Sequence, residues 1–427
     1  MLEKKKIAII GLGYVGLPLA LEFGKKLNTL GFDINKERIY QLNNKKDFNL
    51  TSNQNDFIKA KKIYFSSNEQ DLKDRNVFII TVPTPVKKNK EPDLSYLYAA
   101  TKIVGKYLKI KSLVIYESTV YPGLTEEICV PLLEKYSGLK FNLDFSVGYS
   151  PERISPGDSS GIAFINKIVS GSNPKTTNEI YSLYKKIIKA KVFKAKSIKV
   201  AEASKVIENA QRDINISFMN EISLIFAKLH IKTSDVLEAA RTKWNFLNFK
   251  PGFVGGHCVS VDPYYLTYKA KKHGYSPKVI LSGRKINDNM GIYAANILLE
   301  KLKKRKVKLS KFSIGILGVT FKENCNDLRG SKVLDIIRIL KKNKIKLKIY
   351  DPIVNKEEFR KYFNDIKIKR IKGKVDGLIV SVPHKEFVSL NYQKLKKILK
   401  GRESILMDVK SIFNDPKIIN SFDYWSL

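Results

Sequence analysis

The stretch KIAIIGLGYVGLPLALEFGKK constrains the fold of this 427-residue chain more than any other. Gly11, Gly13 and Gly16 stand as G-x-G-x-x-G between a β-branched apolar run and an amphipathic helical pattern. The run TLGFD then ends a second strand at Asp33, 22 residues after Gly11. A strand, a glycine turn, a helix and a second strand ending in an acid make a βαβ unit that receives a dinucleotide. The first glycine allows the turn, the second lets the backbone approach a pyrophosphate, and the third lets helix and strand pack closely. Amides at the helix N-terminus meet the phosphates. Asp33 can bond both ribose hydroxyls and would repel a 2′-phosphate, so the expected cofactor is NAD. Tyr14 and Val15 lie inside the motif and join the cofactor-binding set. Arg38 is either a cover for the adenine ribose or a solvated surface residue.

The first third of the chain alternates β-rich runs with helical patterns: KIAIIG, TLGFD, VFIITVP, SLVIYES and DFSVGYSP, with helices near 15–27, 36–43, 94–107 and 123–135. That rhythm predicts a parallel sheet. Ligands bind beyond the carboxyl ends of such strands. Thr84 in TVPTP and Thr119 in YESTVYPG follow two of them, and each is either a turn residue or a residue that faces the cofactor or the reacting centre. From about Val200 to His230 helical periodicity runs with no Gly or Pro, and further helices follow near 233–241, 263–274 and 276–305. The strand–helix rhythm returns at about Lys311. The expected fold is α/β: two Rossmann-like, doubly wound lobes (1–198 and 307–427) joined by an all-helical central domain (199–306) with one long helix.

Composition narrows the class. Three cysteines (Cys129, Cys258, Cys325) cannot build a paired disulfide framework, which fits a reducing cytoplasm. The N-terminal run lacks the apolar region of a signal peptide, and no stretch reaches the length of a membrane helix, so no membrane insertion is expected. The net charge of +37 suggests a polyanion. The lysines are spread along the chain without a dense arm, so nucleic acid is not the expected partner; a small anionic substrate would also benefit from the field.

Along the central helix, Val206, Ala210, Ile214, Phe218, Ile222 and Phe226 predict an apolar stripe, while Lys205, Asn209 and Arg212 line up on another face. The run PGFVGGHCVSVDPYYL holds Cys258, which the residues alone leave open as a core thiol, half of a metal pair with His257, or a nucleophile. His257 and Cys258 are adjacent, and the four histidines are scattered without metal-ligand spacing, so no metal is expected.

GLGYVGLPLA, VPTP, EST, SPERI, AEASKVIENAQRDINISF, VGGHCVSVDPYY and GVTFKENCNDLR together resemble the UDP-glucose/GDP-mannose dehydrogenase family, collinearly and nearly end to end. SPERISPGD, KWNF and VGGHCVSVDPYYL look most like its branch that oxidises UDP-N-acetylhexosamines, with UDP-N-acetylglucosamine favoured. The resemblance implies an NAD lobe, a helical middle with a dimerising helix, and a lobe for the UDP-sugar. The implied chemistry is a four-electron oxidation of C6 to a carboxylate with two NAD, through a thiohemiacetal and a thioester on a cysteine. Motif matching puts that cysteine at Cys258, an aspartate at Asp262, a lysine and an asparagine at Lys205 and Asn209, a water-ordering threonine at Thr119 and a glutamate at Glu152. Glu152 would activate the hydrolytic water, or else make a structural hydrogen bond.

Lys322 falls on a substrate-binding lysine and Arg329 on an NAD-contacting arginine. Ile154, Gly252 and Phe321, with Arg153 and Arg212 as holders of diphosphate or sugar, complete the implied substrate set. Gly255 and Gly256 would let backbone amides approach the sugar nucleotide. Two positions depart from the UDP-glucose branch: Pro156 replaces a second glutamate, and the substrate-reaching arginine has no clear counterpart beyond Arg241 or Lys243. The role of His257 stays open between packing and a substrate hydrogen bond.

Overall fold

The computed structural model describes residues 5–48, 52–154 and 161–427, so Pro156 lies outside the described residues. The chain divides into two compact units, Met1–Glu208 with Tyr264–Ser276 and Asn209–Pro263 with Pro277–Leu427.

The first unit is built on one sheet of β1 (Ile7–Ile10), β2 (Thr29–Phe32), β3 (Ile63–Ser66), β4 (Val77–Ile80), β5 (Ser112–Tyr116), β6 (Phe145–Tyr149), β7 (Lys167–Gly171) and β8 (Val192–Lys194). The strand order is β3-β2-β1-β4-β5-β6-β7-β8. The runs IAII, VFII and SLVIY are buried at every position, as strands covered by helices on both faces must be. Register pairs Ile7 with Thr29 on one side and with Val77 on the other, which brings the carboxyl ends of β1, β2 and β4 to one edge. The sheet is not wholly parallel as the sequence rhythm predicts: β6 and β7 pair antiparallel through Gly148 and Gly171. Antiparallel neighbours need no crossover helix, and only the short turn Ile162–Phe164 stands between these two among the described residues. The helix expected near 123–135 opens with a wide π-type turn, Thr125–Cys129, before the α-helix Val130–Ser137. Pro131 stands at its start, and its missing N–H interrupts the ordinary ladder.

The second unit carries a parallel sheet of β9 (Ser313–Leu317), β10 (Lys346–Tyr350), β11 (Gly377–Val380), β12 (Ile405–Asp408) and β13 (Asp423–Ser426), in the order β10-β9-β11-β12-β13. Helix Lys278–Lys303 packs its face of Met290, Ala294, Leu298 and Leu302 into the same core as Ile314, Ile316 and Ile337. Each such aliphatic side chain contributes about 1.5–3 kcal/mol by leaving water.

The long helix spans Ile198–Leu229, close to the expected range. Its apolar stripe behaves differently from the expectation. Val206 and Ala210 are buried, but Phe218 is 52% exposed. Ile207, Ile225 and Leu229 lie exposed with it, spaced 11, 7 and 4 residues apart along one side. The buried side of the later turns is polar instead: Asp213, Ser217, Asn220 and Ser223. Asp213 and Asn220 among them meet Arg284 and Asn287 of helix Lys278–Lys303. Arg284 meets Asp213 at 2.6 Å, and Asn287 Nδ2 donates to Asp213 Oδ1 at 2.7 Å. Burial pushes the Asp213 carboxyl up, and the Arg284 charge opposes that push. Removing one partner of such a buried pair costs about 3–5 kcal/mol, so the two helices are locked in register.

Candidate active site

The glycine turn and the ends of β1, β2 and β4 enclose a cleft of about 560 Å³ lined by Gly11, Leu12, Gly13, Asp33, Arg38, Thr81 and Val82 among others. Asp33 Oδ2 accepts from the Leu12 amide at 2.8 Å, and Oδ1 accepts from the Asn35 amide at 2.9 Å. A carboxylate accepts about four hydrogen bonds, so Asp33 retains capacity for the two hydroxyls of a ribose. A side chain at Gly13 would meet nothing within 4 Å, so its backbone is open to a phosphate. At Gly16 a Cβ would lie 1.8 Å from the Gly11 carbonyl oxygen, which is why the helix can start so close to the strand. These features fit a dinucleotide. Arg38 is a fixed wall of the cleft: its Nε donates to the Leu12 carbonyl at 3.0 Å and its guanidinium meets Asp47 at 2.8 Å. Tyr14, Val15 and Gly16 form the entry to helix Gly16–Gly24, with Val15 at its N-cap. The Thr84 hydroxyl is engaged in the fold, donating to the Thr119 carbonyl at 2.7 Å.

Thr119 follows β5 and Glu152 follows β6 in the same unit, and Glu152 meets Lys205 of the long helix. Glu152 and Lys205 are both buried, and Lys205 Nζ donates to Glu152 Oε2 at 3.4 Å. The other oxygen, Oε1, is buried with no hydrogen-bond partner among the described residues. Ile154 and Arg153 line a small space with Glu152, but the Arg153 guanidinium is occupied by Glu208, with Nε at 3.1 Å from Oε1. One turn before Lys205, the buried Glu202 carboxylate accepts from the amides of Gly123 at 2.5 Å and Thr125 at 2.9 Å. It thereby ties the segment after Thr119 to the helix that carries Lys205.

Burial pushes Glu202 up to about 7 against the pull of those amides. A carboxyl raised in the fold contributes stability that is full below its unfolded value and is lost as pH rises through 7. The stability of Glu202→Gln relative to the natural protein should therefore rise between pH 5 and pH 8, by up to ~3 kcal/mol, and stay flat beyond. Denaturant melts across that range measure it; a pH-independent difference would show that Glu202 stays ionised throughout.

In the second unit Cys258 sits half-buried in the turn before helix Asp262–Lys272. The amides of Val261 and Asp262 donate to its carbonyl at 2.9 and 2.8 Å. Asn209 Nδ2 donates to Asp262 Oδ2 at 2.6 Å, which joins the long helix to the cysteine turn. Asn209 is buried, whereas Arg212, expected on the same face, is exposed; the helix twist turns Asp213 inward instead.

The two glycines before His257 serve packing. A side chain at Gly256, with φ +85°, would strike the Phe321 ring at 2.7 Å, and one at Gly255 would strike the Gly330 carbonyl oxygen at 2.7 Å. Both glycines admit the segments of Phe321 and Gly330, and Gly255 also lines a cavity at the strand ends of the second lobe. The amide and carbonyl of Gly252 are held by the Asn220 side chain, at 2.7 and 3.0 Å. His257 Nδ1 lies 3.2 Å from both Asp327 and Arg329, so it braces the GVTFKENCNDLR loop. Burial raises Asp327, but hydrogen bonds from His257 and Arg329 outweigh it and hold the carboxyl well below the usual range.

A cavity of about 200 Å³ at the strand ends of the second lobe is lined by Gly255, Val259, Phe321, Lys322 and Lys410. Lys410 also lines an adjoining cavity of about 560 Å³ with Arg241, Lys250 and Pro251. Burial and the nearby Lys250 charge lower Lys410, with Glu323 opposing. Arg241 Nε is buried without a partner among the described residues, while Lys243 is exposed, so of the two only Arg241 faces a cavity. The lobe repeats the acid of the first one: Asp351 Oδ2 accepts from the Val319 amide at 2.7 Å. Its remaining capacity is used by His384 Nε2 at 3.0 Å and by the amides of Ile353 and Val354, both at 2.9 Å. Asp351 is thus saturated where Asp33 is not, and the second lobe does not offer a ribose diol the same acceptor.

Comparison with known proteins agrees with this division. Residues 5–188 match the NAD binding domain of the UDP-glucose/GDP-mannose dehydrogenase family, residues 199–289 its central domain and residues 315–415 its UDP binding domain. A UDP-N-acetyl-D-glucosamine 6-dehydrogenase of Pseudomonas aeruginosa is 49% identical over 414 residues, covering 96% of this chain and 98% of that protein. One of Salmonella typhi is 48% identical over 413 residues, covering 96% and 97%. The chain belongs to the UDP-glucose/GDP-mannose dehydrogenase family. Among solved structures, a UDP-D-ManNAc dehydrogenase from Pyrococcus horikoshii superposes with a TM-score of 0.88 at 31% identity, covering 99% of this chain and 98% of that one. As a family member the chain is an NAD-dependent nucleotide-sugar dehydrogenase, with a UDP-binding lobe. Among the described residues no helix is long and apolar enough to cross a membrane.

Against that family background, the cleft residues Leu12, Thr81 and Val82 and the cavity residue Lys410 went unread in the sequence. Their signal was present. Thr81 and Lys410 both follow the carboxyl ends of central strands, β4 and β12, where ligands of open sheets bind.

Proposed function

We propose that this dehydrogenase oxidises C6 of a UDP-N-acetylhexosamine, UDP-N-acetylglucosamine foremost, through the aldehyde to the uronic acid, for assembly of a surface polysaccharide. The observation that carries the reading is the Asn209–Asp262 hydrogen bond, which joins the long helix to the helix that follows the Cys258 turn and supports Asn209 as oxyanion donor and Asp262 as proton relay. The nearly full-length identity to two UDP-N-acetyl-D-glucosamine 6-dehydrogenases supports the sugar. In the proposed division of labour, residues 1–198 bind NAD, 199–306 supply catalysis and dimerisation, and 307–427 hold the UDP-sugar.

Bound NAD would accept a hydride from C6 in each oxidation. Lys205 and Asn209 stabilise negative charge that develops on the C6 oxygen. The Cys258 thiolate adds to the aldehyde, and the thiohemiacetal carries it into the second oxidation as a thioester. Thr119 and Glu152 order the water that releases the acid, and Asp262 relays the proton. Lys322, Phe321, Arg241 and Lys410 hold the UDP-sugar, and Gly252 shapes its site in the same unit. The exposed stripe of Phe218, Ile225 and Leu229 is the face a second copy would cover in a homodimer.

NADH production with UDP-GlcNAc, UDP-GalNAc, UDP-ManNAc and UDP-glucose tests the reading. UDP-GlcNAc should give the highest kcat/KM; a preference for UDP-glucose would overturn the assignment to N-acetylated sugars.

A further inference from the structure

The first unit holds a buried charge cluster that the reaction outlined above does not use. Lys167, at the start of β7, and Glu117, just after β5, are 4% and 1% exposed. Lys167 Nζ meets Glu117 Oε2 at 2.6 Å, and the Tyr184 hydroxyl donates to the other Glu117 oxygen. The Lys167 ammonium also lies 5.2 Å from the Tyr184 ring centre. Burying such a pair costs several kcal/mol of hydration, which a purely apolar contact would avoid.

The cluster reaches Glu152 from both sides. Lys167 Nζ donates to the Pro151 carbonyl at 3.0 Å and approaches the Ser150 carbonyl at 3.5 Å, immediately before Glu152. Immediately after it, Arg153 donates to the Asn166 carbonyl at 3.3 Å, next to Lys167. Glu117 stands two residues before Thr119 on the same strand end. One ammonium thus ties the segment of Thr119 to the segment of Glu152. Glu117, Lys167 and Glu152 border a space of about 10 Å³ with Arg153, Ile154 and Ile162. That is about the least space that admits one water molecule.

We propose that Lys167, held by Glu117, is the positioning residue for Glu152 in the hydrolytic step. This inference rests on the function proposed above and deepens it. In that step the oxygen of water bonds to the thioester carbonyl carbon, and the carbon–sulfur bond breaks. Cys258 leaves as thiolate, and the water proton passes to Glu152 and on to solvent. No electron changes hands, so a disturbed Lys167 slows release of the acid without slowing either oxidation.

The test is pre-steady-state NADH formation and intact-protein mass with UDP-GlcNAc and NAD. The variant is Glu117→Gln with Lys167→Met, which leaves neither buried charge alone. The expected result is a burst approaching two NADH per site, a steady phase about 10²-fold slower than the natural enzyme, and an acyl adduct on Cys258. NAD affinity should be unchanged, and Lys167→Arg should regain much of the steady rate. Tyr184→Phe, which removes one hydroxyl from Glu117, should show a milder form of the same pattern and carries the test if the double variant does not fold. A natural enzyme that gives two NADH, with variants that show neither burst nor adduct, overturns the positioning role alone. A natural enzyme that gives one NADH per sugar and no adduct overturns the proposed function, and the positioning role with it.

Discussion

A Cys258→Ser protein should lose steady formation of the sugar acid on the order of 10³-fold while keeping its affinity for NAD and UDP-GlcNAc. The substitution exchanges one atom in a half-buried turn, and the hydrogen bonds that shape the turn reach the backbone carbonyl of residue 258, so the fold is kept. What changes is the nucleophile. A thiolate forms near neutral pH and leaves readily, whereas an alcohol does neither. Release of the aldehyde, or a slow ester in place of a thioester, is the expected behaviour. Steady-state NADH assays with product analysis check it, and full two-step oxidation at the natural rate by Cys258→Ser would sink the covalent scheme.

The largest structural effect is expected at Gly16. An added Cβ there meets the Gly11 carbonyl oxygen at 1.8 Å and Thr81 Oγ1 at 2.5 Å. The first of these is backbone pinned by the Gly11 amide donating to the Phe32 carbonyl at 2.8 Å and by Thr81 Oγ1 donating to the Gly11 carbonyl at 2.7 Å, so it has little room to move. Gly16→Ala should cost ~3 kcal/mol or more, a large share of a typical domain stability of 5–15 kcal/mol, and abolish NAD binding. Gly13→Ala is the control: its Cβ meets nothing within 4 Å, so the protein should keep its melting temperature and lose NAD affinity. Thermal melts with NAD titrations separate the two. A Gly16→Ala protein that melts like the natural one would contradict the packing described here.

The first lobe was legible because its central strands are fully apolar and its glycines and Asp33 have no other economical reading. What the sequence hid follows from weak local signals. β3 alternates no clear pattern because it is a half-buried edge strand, and β8 is only three residues with two of them exposed. The antiparallel turn of β7 depends on long-range pairing that periodicity does not encode. The apolar stripe of the long helix differs from the expectation because its buried side is polar: Asp213 Oδ1 and Asn220 are bonded by Arg284, Asn287 and Gly252, which lie far away in sequence. In the candidate site, residue types were readable but partners were not. The bracing of His257 by Asp327 and Arg329, the use of Gly255 and Gly256 for packing, and the Lys167–Glu117 pair beneath Glu152 all arise from contacts of 50 residues or more in separation.

The central claim is a four-electron oxidation through Cys258, and NADH stoichiometry tests it most directly. A limiting amount of UDP-N-acetylglucosamine, taken to completion with excess NAD, should yield two NADH per sugar and the uronic acid as the product. One NADH per sugar, with the aldehyde as the product, would contradict the account.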